Sequence, residues 1–154
     1  MILSASASSG APLDVLHVLW QGAGGGAERH VLDLADGLSR RGVRTGVLYL
    51  KDDDGVAPEL DRLGVVHRSC HLAAGGDPRG PVRVAAALRE IRPRLLHDHV
   101  STPWLRALMP ASAKRSLVAT EHGHLLRPAF TREGPRLWIE RAGARRTDLD
   151  IAPS

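Results

Sequence analysis

Cysteine is nearly missing from this sequence: one thiol, Cys70, serves 154 residues. No intrachain disulfide can form and no cysteine-rich zinc site can be built, so a reducing compartment is the natural setting. Aromatic side chains make up only 3% (Trp20, Tyr49, Trp104, Phe130 and Trp138), which leaves Leu, Val and Ala to fill the core. The same scarcity removes the stacking platforms on which single-stranded DNA and RNA binders depend, so no nucleic-acid partner is expected. No apolar run approaches the roughly 20 residues of a membrane span. The opening stretch, Met1–Ala11, has neither a basic start nor a long apolar centre and reads as a disordered tail, not a signal peptide. A cytoplasmic location follows as the expectation. Lysine is scarce too: arginine carries the basic excess, a net charge of +4. That bias suits anionic partners such as phosphates or an acidic membrane face, and it equally suits a solvated surface.

What is present is ordinary globular usage, 43% hydrophobic and 25% charged, which argues against disorder. The length is that of one domain, assigned to residues 12–154. Short apolar runs alternate with helical patterns. Leu13–Trp20, Val43–Leu50, Val65–Ser69, Arg94–Val100, Ser116–Thr120 and Asp148–Ala152 read as strands. Ala27–Arg41, Ala57–Leu63, Val82–Ile91, Pro103–Ala111 and Pro135–Arg146 read as helices. Val31, Leu34, Ala35 and Leu38 fall on one face of the first helix, and Gly42 after Arg40 and Arg41 stops it. The segment Ala73–Pro81 reads as loop. This alternation predicts an α/β fold: a Rossmann-like, doubly wound, mainly parallel sheet of about six strands.

In such a sheet, ligands bind at the carboxyl ends of the strands, where strand order reverses. With the common order 3-2-1-4-5-6, strands one, four and five are neighbours. Three polar segments follow those three strands: the glycine loop from Gly22 through Gly24, Gly25 and Gly26, then His97-Asp98-His99, then Glu121-His122-Gly123-His124. The glycine loop opens a helix, whose free N–H groups and positive end suit an anion. It also spells a nicotinamide-dinucleotide pattern through Gly22, Gly24 and Ala27. The first acid after strand two, Asp52, lies 25 positions past Ala27, where that pattern places its ribose acid about 20 residues on. No Gly-Lys-Ser/Thr follows, which excludes a P-loop. The four histidines make a metal cluster conceivable, but His-x-His is an unspecific signal and no metal is assigned. The arginines around Glu133 and Glu140 on the last helix read as an exposed charged face or as a basic face toward an anionic membrane. Cys70 beside His71 has no supporting triad.

Four of these segments together resemble family 4 glycosyltransferases. Gly25 through Ala35, with Leu38, Arg41 and Gly42, is similar to that family's first helix. Leu95–His99 is similar to its strand-four ending, Val118–Gly123 to its strand-five ending, and Asp148–Ser154 to the strand closing its amino-terminal half. The resemblance implies one half of a GT-B fold: the acceptor-side domain of an enzyme of glycan biosynthesis. That enzyme moves a sugar from a nucleotide sugar to a carbohydrate, lipid or small-molecule acceptor, with retention and without metal or cofactor. It further implies that Gly24, Gly25 and Gly26 approach the donor diphosphate and the reaction centre. His122 would contact the donor sugar as the catalytic residue, and His97, Asp98, His99 and Glu121 would flank the acceptor. The donor-binding carboxyl-terminal domain is expected to be absent from these 154 residues. The isolated chain is then expected to be inactive without a donor-domain partner chain. The alternatives are a non-catalytic stand-alone binding domain or subunit and an NAD(P)-binding Rossmann fragment.

Overall fold

The computed structural model describes residues 12–22, 25–52, 55–73, 77–100, 116–120, 122, 145 and 147–151. The elements run β1 (Val15–Leu19), α1 (Gly26–Ser39), β2 (Thr45–Tyr49), α2 (Ala57–Arg62), β3 (Val66–Ser69), α3 (Gly80–Ile91), β4 (Leu95–Asp98), β5 (Ser116–Thr120) and β6 (Leu149–Ile151). The tail assigned to Met1–Ala11 and the helices expected at 103–111 and 135–146 lie outside the described residues, but for Arg145.

The six strands form one sheet in the order β3-β2-β1-β4-β5-β6, and every neighbouring pair is parallel. This is the expected doubly wound order, with its reversal between β1 and β4. The central strands β1, β2 and β4 are largely buried on both faces, which is why their segments show apolar runs instead of strict alternation, whereas β6 leaves Leu149 and Ile151 exposed. Leu16, Leu96 and Leu117 occupy one register row across β1, β4 and β5 and face α3, where Val84, Ala87 and Leu88 meet them. Val47, Tyr49 and Leu19 face the other way, onto Val31, Leu32 and Ala35 of α1 and Leu60 of α2.

Gly42 stops α1 as expected. Its φ of +75° is left-handed backbone, and its N–H reaches the Ser39 carbonyl while Val43 N–H reaches that of Leu38. α3 begins two residues earlier than the apolar pattern placed it, inside the segment read as loop. Pro81 fits a first helical turn because no hydrogen bond is asked of its nitrogen there. Asp77 starts the turn, accepting the Arg79 N–H at 2.9 Å. Cys70 lies one residue past β3, and its N–H still pairs with the Tyr49 carbonyl.

Candidate functional site

The register that aligns the leucines also aligns histidines, on the opposite face. His17 of β1 pairs in register with His97 of β4. His99 follows β4 and points the same way as His97, because strand side chains alternate. Thr120 closes β5, and His122 follows it. α1 crosses above this row and brings His30 to it. The His30 ring is 5.9 Å from that of His99 and 5.5 Å from that of His122, both edge-on. Five imidazoles thus gather at the carboxyl end of the strands, beside the strand-order reversal.

Their contacts are mostly with one another. His17 Nδ1 is 3.2 Å from His99 Nε2, and His99 Nδ1 is 3.0 Å from His122 Nε2. His97 Nε2 is 2.7 Å from Thr120 Oγ1. The rings of His97 and His99 lie 4.0 Å apart between centroids. His17, His97 and His99 are buried, and burial is the main reason each resists protonation; the neighbouring imidazoles add to it. The pKa of His17 falls to about 3, that of His97 to about 4 and that of His99 to about 2. All three are therefore neutral at pH 7, so this wall of the site is polar and uncharged.

His17, His97 and His99 each offer a nitrogen within 4.8 Å of the others, the ligand count of a three-histidine metal site. Both ring nitrogens of His99 are already engaged by other histidines. Metal binding would break one of those bonds, and no carboxylate belongs to the group.

The glycine loop meets the same edge. Gly25 is the N-cap of α1 and, having no side chain, makes no capping hydrogen bond to the first N–H groups of the helix; Glu28 is the acid of its first turn. Both Gly25 and Gly26 are exposed. A methyl group built on Gly26 would touch nothing within 4 Å, so no contact inside the protein demands glycine there. On Gly25 it would meet only the carboxylate end of Glu28, at 2.7 Å, and that side chain is flexible.

Of the residues singled out in the sequence, the structure brings His97, His99 and His122 together, with Gly25 and Gly26 at the start of the helix above them. Asp98 is separated from them. It is fully buried, alternation turns it toward the α3 face, and its Oδ1 accepts the Val100 N–H at 2.8 Å. Gly24 and Glu121 lie outside the described residues, as does His124. Sequence reasoning missed His17, His30 and Thr120. His17 was the one available signal, a lone imidazole inside a strand otherwise apolar from Leu16 to Leu19.

Several arginines form ion pairs away from this site. Arg29, Arg40, Arg62, Arg68 and Arg94 pair with Asp33, Asp36, Glu59, Glu90 and Asp14. Exposed pairs of this kind contribute little to stability. Cys70 is buried, and its thiol is pushed up to about 11 by that burial, against the pull of Arg68 and Arg83. A nucleophilic role is thereby closed to it. Among the described residues no helix is long and apolar enough to cross a membrane.

Comparison with known proteins points the same way. The family model described as Glycosyltransferase Family 4 matches residues 24–154. No curated protein matches the chain. Among solved structures, HepE of Anabaena, crystallised in complex with UDP, superposes with a TM-score of 0.66 at 20% identity over 92% of this chain. A glycosyltransferase from Rickettsia africae superposes with a TM-score of 0.60 at 17% identity over 76% of it. The chain spans only 38% and 31% of the lengths of those two proteins. At such identities the superpositions speak for the Rossmann-like fold.

Proposed function

Because the chain belongs to Glycosyltransferase Family 4, we propose that it forms the acceptor-side domain of an enzyme moving a sugar from a nucleotide-sugar donor to an acceptor, with retention of anomeric configuration. One observation carries the reading. The glycine-opened N-terminus of α1 and the imidazoles of His99 and His122 share one edge of the sheet, where doubly wound folds bind ligands.

Each part suits the chemistry of that transfer. The bond from the anomeric carbon to the diphosphate breaks, so negative charge grows on the leaving oxygens and positive charge on the sugar. Backbone N–H groups and the positive end of α1, at Gly25 and Gly26, fit the diphosphate. Neutral His97 and His99 line the acceptor side without repelling a cationic sugar. His122 contacts the donor sugar. The nucleotide itself is gripped chiefly by a second domain, and closure between the two assembles the site. A nucleotide sugar is substrate here, and no metal or cofactor is called for.

Titration of the 154-residue chain with UDP-glucose and GDP-mannose, with NAD as control, tests the class. Weak binding of a nucleotide sugar and none of NAD is expected. NAD binding more tightly than either would replace this reading with a dinucleotide-dependent one. In the assembled enzyme, His122→Ala should lower turnover by about 100-fold while leaving the melting temperature near that of the parent. Early melting with specific activity retained would make His122 structural.

A further inference from the structure

His17, His99 and His122 form one hydrogen-bonded chain, and the nitrogen at its buried end sets the direction in which it runs. The links are His17 Nδ1 to His99 Nε2 at 3.2 Å and His99 Nδ1 to His122 Nε2 at 3.0 Å. Burial keeps His17 and His99 neutral. A neutral imidazole carries one N–H and one lone pair, so a ring bonded at both nitrogens donates from one and accepts at the other. His99 is such a ring, and its two links therefore point the same way along the chain.

Two directions satisfy that rule. In the inward one, His122 Nε2–H donates to His99 Nδ1 and His99 Nε2–H donates to His17 Nδ1. The hydrogen of His17 must then sit on Nε2. That atom is buried and has no hydrogen-bond partner among the described residues, so the inward chain ends in a stranded N–H. In the outward one, His17 Nδ1–H donates to His99 Nε2 and His99 Nδ1–H donates to His122 Nε2. Only a lone pair is then left at His17 Nε2. Buried orphan N–H groups are rarer than under-satisfied acceptors, because a stranded donor loses its whole interaction with water.

We infer that the chain runs outward, so that His17 and His99 act as positioning residues and hold His122 with Nε2 occupied and its ring hydrogen on Nδ1. Any hydrogen bond that His122 makes through Nδ1 is then a donated one. Its Nε2 lone pair, spent on His99, takes no proton from an acceptor hydroxyl. The mechanistic half of this inference rests on the glycosyl-transfer reading. The tautomer itself does not.

Long-range proton–nitrogen NMR on the uniformly 15N-labelled 154-residue chain at pH 7 reads each ring nitrogen directly. His→Gln variants at 17, 99 and 122 assign the signals. The expected spectrum has Nδ1 protonated and Nε2 unprotonated in His17, His99 and His122. In His99→Leu, which keeps the buried site filled and uncharged and cuts both links, His122 should relax to a mixture of tautomers. In His67→Gln, on β3 and outside the chain, it should not. A hydrogen on Nε2 of His17 or His122 in the parent protein overturns the assignment. So does a spectrum in which one equivalent of Zn2+ shifts His17, His97 and His99 together, because those rings would then be metal ligands. If His99→Leu fails to fold, the parent spectrum still decides. Loss of nucleotide-sugar binding with the tautomers as stated would sink the glycosyl-transfer reading alone, and the reverse result would sink this inference alone.

Discussion

On the α3 face of the sheet, Leu16, Leu96 and Leu117 stand side by side on β1, β4 and β5, none more than 3% exposed. One residue further along the same strands, on the α1 face, stand His17, His97 and Val118. The strands, the hydrogen-bond ladder and the depth are shared, so the backbone does not account for the difference. Leucine on the first face does what burial asks of a side chain. Imidazole on the second resists protonation in the buried state, and an apolar residue would fill the space without that penalty. Toward β2 the α1 face is apolar, where Val47 and Tyr49 meet α1 and α2; past β1 the histidines enter it, with Val118 beside them on β5. One half-face of a uniform sheet has thus admitted polar groups, and it is the half beside the strand-order reversal.

The sharpest way to break this comparison is to mutate one row at a time. Leu96→Ala should cost about 3 kcal/mol of stability, because a fully buried leucine leaves a cavity. His97→Leu, one position on, should cost only about 1 kcal/mol at pH 7, the lost hydrogen bond to Thr120. Urea denaturation of both variants reads the two values. Equal losses would mean that both faces serve the fold alike.

Acid sharpens it next. His17, His97 and His99 have native pKa values of about 3, 4 and 2, below the 6.5 of an ordinary histidine. Below pH 6.5 the unfolded chain takes up protons that the native chain refuses. Their contribution is therefore whole above pH 6.5 and is lost as pH falls toward those native values. By pH 5 each imidazole should have removed about 2 kcal/mol. Denaturation curves at pH 7.5, 6 and 5 should show the fall, and His17→Leu should flatten it. A parent protein equally stable at pH 7.5 and 5 would contradict the buried, neutral wall.

The smallest effect belongs to the helix start above that wall. Gly26→Ala meets nothing within 4 Å. It should leave stability unchanged or raise it by about 0.5 kcal/mol through the better helix former. Affinity for a nucleotide sugar should nonetheless fall, because the added methyl group occupies the ligand's approach to the backbone. Thermal melting and the titration described above separate the two. Unchanged affinity would move the diphosphate away from Gly26.

Much of this was legible in the sequence. The α/β class followed from the alternation of apolar runs and helices, the strand order is the one common to that class, and β5 begins and ends where its pattern does. Parallel strands buried on both faces leave a strong continuous signal. α3 was shortened because Gly80 and Pro81 look like loop when the first-turn tolerance of proline is set aside. His97, His99 and His122 stood out because each ends a strand on a polar note. His17 did not, because a single imidazole in an apolar run reads as part of the run. Only the pairing of β1 with β4 sets it against His97. Asp98 looked like a partner of its two neighbours, and strand alternation sends it to the other face.

Cys70, set aside above as chemically quiet, is still the chain's one thiol, packed in the α3-facing core with Val84 and Leu88. No other thiol in these 154 residues competes with it for a maleimide or disulfide reagent. At mildly alkaline pH the folded form offers it almost no thiolate, so labelling proceeds through moments when α3 lifts from the sheet. The rate of modification, compared with that of the unfolded chain, is then a clock for that opening. It needs no engineered probe, and it keeps time on the half of the protein that the histidines leave alone.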